Sequence, residues 1–100
     1  MPGRNPSTNN RVGAEIFVSG RVQGVGYRFF TERAAAKYGI LGWSGNLPDG
    51  RVALEIEAEE GDAKKFIKDL EKGPAMARVE DVKVYWKTCA GRFKNFTIRV

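Results

Sequence analysis

Residues 40-ILGWSGNLPDGRVALEIEAEE-60 hold two apolar arms around Pro48-Asp49-Gly50. Proline presets φ for a turn, aspartate bonds its own backbone two residues on, and glycine accepts the left-handed conformation. The tripeptide therefore predicts a β-hairpin between 40–47 and 51–60. In the second arm Val52, Leu54, Ile56 and Ala58 alternate with Glu55, Glu57 and Glu59. One face of the hairpin is thus expected on a core and the other in solvent. Such a sheet needs a second layer, and the flanking segments supply it.

On the amino-terminal side, 14-AEIFVSG-20 alternates Ala14, Ile16 and Val18 against Glu15, Phe17 and Ser19, as a strand does. From Tyr27 the spacing turns helical. Phe30, Ala34 and Tyr38 face inward, Glu32, Arg33 and Lys37 face solvent, and Gly39 stops the helix. Beyond the hairpin, Asp62 is expected to cap a second helix with Phe66, Ile67 and Leu70 buried, ended by Gly73-Pro74. The segment 79-VEDVKVYWK-87 forms a strand, and after 90-AGRFKN-95 the residues Phe96, Ile98 and Val100 alternate in a short last one. Trp43, Trp86, Phe66 and Phe96 fall at core spacing and read as packing. The order is β-α-β-β-α-β plus a short C-terminal strand. This is the α+β class: a ferredoxin-like αβ sandwich, with two helices on one face of an antiparallel sheet.

The length of 100 residues suits one domain. Residues 1–13, MPGRNPSTNNRVG, read as a disordered tail before a folded domain at 14–100. No apolar run approaches a membrane span, and the amino terminus lacks a secretory pattern. A lone cysteine, Cys89, permits no intrachain disulfide and fits the cytoplasm. The net charge is +5, or +3 without the tail's Arg4 and Arg11, a mild surplus that favours anions but not a nucleic-acid stripe. There is no histidine. Histidine triads, phosphohistidine intermediates and imidazole metal sites are therefore excluded.

Between the first strand and helix lies 19-SGRVQGVGYRFF-30. Amides at a helix start lack intrahelical partners and sit at the positive end of the dipole. Gly24 and Gly26 can turn several of them inward, and Arg28 adds a planar fork of donors matched to phosphate. Arg28 opposes the helix dipole, a conflict that a bound anion relieves. The stretch is neither a Walker loop nor a dinucleotide fingerprint, since Phe29 stands where a third glycine is needed. A glycine turn with a surface arginine is the plainer alternative.

Other chemistry loses on spacing. Cys89 lacks an arginine six positions on, where Asn95 stands, and the acidic run 55–62 reads as a solvated strand face rather than a metal site. RNA-recognition modules share this element order, but 51-RVALEIEAEE-60 offers RNA three glutamates where stacking aromatics are required.

Three blocks, GRVQGVGYR, GWSGNLPDGRV and KGPAMARVEDV, occur in an order and spacing that resembles the acylphosphatase family over residues 14–100. The resemblance implies metal-independent hydrolysis of an acyl phosphate to a carboxylate and inorganic phosphate, with no cofactor. It places the phosphate on the backbone amides of Gln23, Gly24, Val25, Gly26 and Tyr27, and on the essential Arg28. It assigns the positioning of the attacking water to Asn46. It implies acyl phosphate as substrate and inorganic phosphate as product and inhibitor; the small size and lack of an obvious apolar patch favour a monomer, and neither nucleic acid nor membrane is expected as a partner. An anion-binding relative without turnover is the alternative. Many relatives read GWV where this chain has Gly42-Trp43-Ser44, and Tyr27 replaces a commoner phenylalanine. Ser44 and Gly45 form strands poorly and are expected to loosen the backbone that aims Asn46.

Overall fold

The hairpin closes around Pro48-Asp49-Gly50 as expected. Leu47 N–H donates to the Arg51 carbonyl at 2.8 Å and Gly50 N–H to the Leu47 carbonyl at 3.1 Å. The Asp49 carboxylate accepts from Arg51 N–H at 3.1 Å and from Arg51 Nε at 2.9 Å. In the computed structural model, which describes residues 10–99, seven elements follow one another. They are β1 (Arg11–Arg21), α1 (Tyr27–Tyr38), β2 (Leu41–Asn46), β3 (Val52–Glu59), α2 (Glu60–Lys72), β4 (Arg78–Thr88) and β5 (Phe96–Arg99).

The strand order is β4-β1-β3-β2-β5, the ferredoxin-like arrangement with one strand added at an edge. β1 is antiparallel to β3 and β4, and β2 is antiparallel to β3. β5 departs from the expected antiparallel sheet, because it runs parallel to β2 with Ser44 opposite Ile98. The reason lies in the connection. After β4 the chain doubles back through residues 89–95, whose Arg92 meets Glu55 of β3 and whose Asn95 carbonyl accepts from Gly42 N–H at 2.9 Å. It thus arrives opposed to β4, which is the direction β2 already has.

That connection also corrects the glutamate face. Glu57, expected in solvent, is 3% exposed and accepts from the amides of Arg92 at 3.1 Å and Phe93 at 3.2 Å. Burial pushes its carboxyl pKa up, but the amides of residues 90–93 more than offset this, and it titrates below its ordinary range. At Glu55, burial is likewise outweighed, by Lys87 and Arg92.

The opposite face carries the core. Ile16, Val18, Leu54 and Ile56 meet Phe66 and Leu70 of α2, all 0–1% exposed. Each such side chain contributes about 1.5–3 kcal/mol through burial. α1 packs beside them on a stripe of Tyr27, Thr31, Ala34 and Ala35. That stripe is rotated from the expected one, and Phe30 and Tyr38 are only partly buried. Thr31 can enter the core because its hydroxyl is bonded there.

Other expectations shift as well. α2 starts at Glu60 rather than being capped by Asp62, and Glu60 N–H is taken by the Asn10 carbonyl, one step beyond the Arg11–Glu59 pair of the β1–β3 ladder. β1 starts at Arg11, inside the stretch expected as tail, since Arg11, Val12 and Gly13 pair with Glu59, Ala58 and Glu57. Residues 1–9 lie outside the described residues. Phe66 is buried edge-on to Phe96 at 6.3 Å, but Trp86 is 47% exposed and Trp43 lies under the Arg99 guanidinium at 4.2 Å. The two tryptophans are therefore not core residues.

Candidate active site

Gly24 and Gly26 both adopt left-handed backbone, with φ of 75° and 78°. A Cβ at either would meet nothing within 4 Å, so the backbone angle, and not crowding, requires glycine there. Gly26 is the residue before α1, and the first bond of the helix runs from Phe30 N–H to its carbonyl at 3.0 Å. The amides of Tyr27, Arg28 and Phe29 precede that bond. They form the positive end of the helix, whose first turn holds no acidic side chain. Left-handed residues on either side of Val25 curve the backbone into an anion-binding concavity of the kind that collects such amides.

Gly24, Gly26, Tyr27, Arg28, Asn46 and Ile98 line one cavity of about 200 Å³. The elbow, the exposed end of β2 and the added strand β5 thus converge on a single hollow. Arg28 reaches across it, with Nη1 donating to the Arg99 carbonyl at 2.8 Å. This leaves the rest of its fork for a ligand and fixes the plane in which it is presented. Gln23 and Val25, expected to contribute amides, alternate along the elbow with Gly24 and Gly26, which line the cavity. The Gln23 side chain adds a structural role, and its Nε2 donates to the carbonyls of Leu47 at 2.8 Å and Arg51 at 2.9 Å. It clamps the elbow to the hairpin mouth that carries Asn46.

A second tie runs underneath. Thr31 Oγ1 donates to the Arg28 carbonyl at 2.6 Å and lies 2.9 Å from Ser44 Oγ. Thr31 has one hydroxyl proton and uses it on Arg28, so Ser44 is the donor to Thr31. Both side chains are 0% exposed. Ser44, expected to loosen β2, instead bolts that strand to the turn carrying Arg28, and β2 is paired on both sides through Ser44 and Gly45. Weak strand propensity is overridden by these partners.

Tyr27 likewise does more than pack. Its hydroxyl donates to the Leu70 carbonyl at 2.7 Å, satisfying one of the orphan carbonyls of the last turn of α2. Burial pushes its phenol well above the ordinary value of 10.0. The side chain is neutral at physiological pH and serves as an anchor for the elbow.

Sequence reasoning missed the contribution of β5 to the site, Thr31, and the side-chain role of Gln23. The polar Thr31 on an apolar helical stripe was the one available signal. Among the described residues no three His, Cys, Asp or Glu side chains gather as a metal site. No described helix is long and apolar enough to cross a membrane. A wider hollow of about 820 Å³ lies along Arg11, Trp86 and Cys89, at the other end of β1.

Known proteins share both the sequence and the fold. The acylphosphatase family profile matches residues 14–98. An acylphosphatase of Salinibacter ruber is 44% identical over 92 residues, which is 92% of this chain and 95% of that protein. One of Thermus thermophilus is 47% identical over 81 residues, covering 81% of this chain and 91% of that protein. The crystal structure of acylphosphatase from Bacillus subtilis superposes with a TM-score of 0.86 at 32% identity, covering 89% of this chain and 99% of that one. With near-complete coverage in both directions, and with the expected sandwich in place, the chain belongs to the acylphosphatase family, the hydrolases of acyl phosphates.

Proposed function

We propose that the phosphoryl group of the substrate sits in the cavity between the elbow and the end of β2, held by the elbow amides and Arg28, with Asn46 aligning the attacking water. The observation that carries this assignment is the meeting of Gly24, Gly26, Arg28 and Asn46, from separate stretches of chain, on one hollow of about 200 Å³.

The chemistry asks little else of the protein. The water oxygen bonds to phosphorus as the bond from phosphorus to the acyl oxygen breaks, and the acyl group departs as a carboxylate. With an ordinary pKa near ~4, that carboxylate needs no proton from an acid. The water proton passes to phosphate or solvent. Catalysis then consists of orientation and of charge stabilisation on the equatorial oxygens. Preorganised amides and a tethered guanidinium provide the second. Asn46, a neutral donor and acceptor, provides the first. A chain without histidine is equipped for this reaction. Hydrolysis proceeds without metal, and the protein acts as a cytoplasmic monomer that binds neither nucleic acid nor membrane.

Loss of benzoyl phosphate absorbance in excess chelator tests the reading. Arg28→Ala lowers turnover by at least about 10²–10³-fold, the worth of one preorganised donor, and also weakens inhibition by inorganic phosphate. Asn46→Ala lowers kcat by about the same factor with phosphate inhibition retained. Phosphate inhibition lost in step with kcat in Asn46→Ala would show that Asn46 holds phosphate rather than water.

A further inference from the structure

Amides, Arg28 and Asn46 account for the polar side of the cavity and leave its apolar side unexplained. Val22, Phe29 and Ile98 also line it. Val22 is 1% exposed and belongs to the core, but Phe29 keeps 63% of its surface in solvent, directly after Arg28 in the first turn of α1. Of the other exposed large apolar side chains among the described residues, Met76, Tyr85 and Trp86, none lines this hollow. With 63% of its surface exposed, Phe29 spends only part of its apolar area on folding and leaves the rest available beside the phosphate cradle.

We propose that Phe29, with Ile98, forms the acyl subsite, and that the substrates it favours carry an apolar, planar acyl group such as an aryl. This inference rests on the phosphoryl group occupying the cradle. The elbow amides and Arg28 take the phosphoryl oxygens, so the bond from phosphorus to the acyl oxygen points away from them. The acyl group therefore projects to the mouth, where Phe29 offers a ring face or edge. Among the described residues that line the cavity, Arg28 is the one cation. Arg28 is committed to phosphate and to the Arg99 carbonyl, and the Arg99 guanidinium lies over Trp43.

The test reads binding, independently of turnover. Calorimetry compares phenylphosphonate, methylphosphonate and inorganic phosphate on the wild-type chain, Phe29→Ala and Phe29→Leu. The wild type binds phenylphosphonate more tightly than methylphosphonate. Phe29→Ala weakens phenylphosphonate by about 2- to 13-fold, an aromatic pair of about 0.5–1.5 kcal/mol at 1.36 kcal/mol per tenfold. It leaves methylphosphonate and phosphate unchanged, and Phe29→Leu keeps part of the preference. The ratio of kcat/KM for benzoyl over acetyl phosphate falls in parallel. Equal affinity of the wild type for the two phosphonates overturns the acyl subsite, as does an equal loss for both in Phe29→Ala. Failure of the wild type to bind inorganic phosphate at all overturns the cradle beneath it, a separate and recognisable result.

Discussion

The buried hydroxyl relay from Ser44 through Thr31 to the Arg28 carbonyl makes an unusual stability prediction. Thr31→Val keeps the side-chain shape but removes both the donor to Arg28 and the acceptor for Ser44. The Ser44 hydroxyl, 0% exposed, is then stranded. A lost hydrogen bond costs about 0.5–1.5 kcal/mol and a stranded buried donor about 1–3 kcal/mol, so the single change is expected to cost about 2–3 kcal/mol. Ser44→Ala alone removes only the incoming bond and costs about 1 kcal/mol. The double variant Thr31→Val with Ser44→Ala has no stranded hydroxyl, so it is expected to be more stable than Thr31→Val alone, by about 1–2 kcal/mol. Urea unfolding of all four proteins measures the cycle, and the thermal midpoint shifts by about 4–8 °C per kcal/mol for a domain of this size. Strictly additive costs, with the double variant the least stable, would show that the two hydroxyls do not share a bond and that Ser44 does not brace the Arg28 turn.

Three further outcomes are expected. Tyr27→Phe costs about 0.5–1.5 kcal/mol at neutral pH by leaving the Leu70 carbonyl without its donor. Because the folded phenol is raised above 10.0, its stabilisation is complete below that pH and is lost as pH rises beyond it, so the gap between wild type and variant closes in alkaline denaturation series. Glu57→Gln has the opposite signature. The folded carboxyl titrates below its ordinary 4.5, so the wild-type advantage, about 1–2 kcal/mol, is full above that value and disappears as pH falls further, measured by chemical unfolding from neutral to acid. Gln23→Leu frees the elbow from the hairpin and is expected to lower kcat on benzoyl phosphate by about 10- to 100-fold, the cost of ångström-scale misplacement, with unchanged kcat refuting the clamp.

Much of this protein is written locally. The Pro48-Asp49-Gly50 turn, the alternation through 52–58, the elbow of Gly24 and Gly26, and the stops at Gly39 and Gly73 act over a few residues. Turn chemistry and periodicity operate at that range, so the element order was legible from the chain, and the conjunction of Arg28 and Asn46 followed from resemblance. Periodicity says which face a residue takes but not what covers that face. Glu57 lies on the predicted face and is buried all the same, because residues 90–93 return over it. Trp43 has core spacing but stands opposite Glu55, on the face away from the core, and Trp86, opposite Ala14, keeps 47% of its surface exposed. Ser44 is a weak strand former in isolation, yet Thr31, Leu54 and Ile98 hold it from three sides. The anchoring of Arg28 by Arg99 spans 71 residues. Contacts at that separation depend on chain closure and on the direction in which β5 arrives, which no window of sequence contains. The site's chemistry is thus local in its residues and tertiary in its aim.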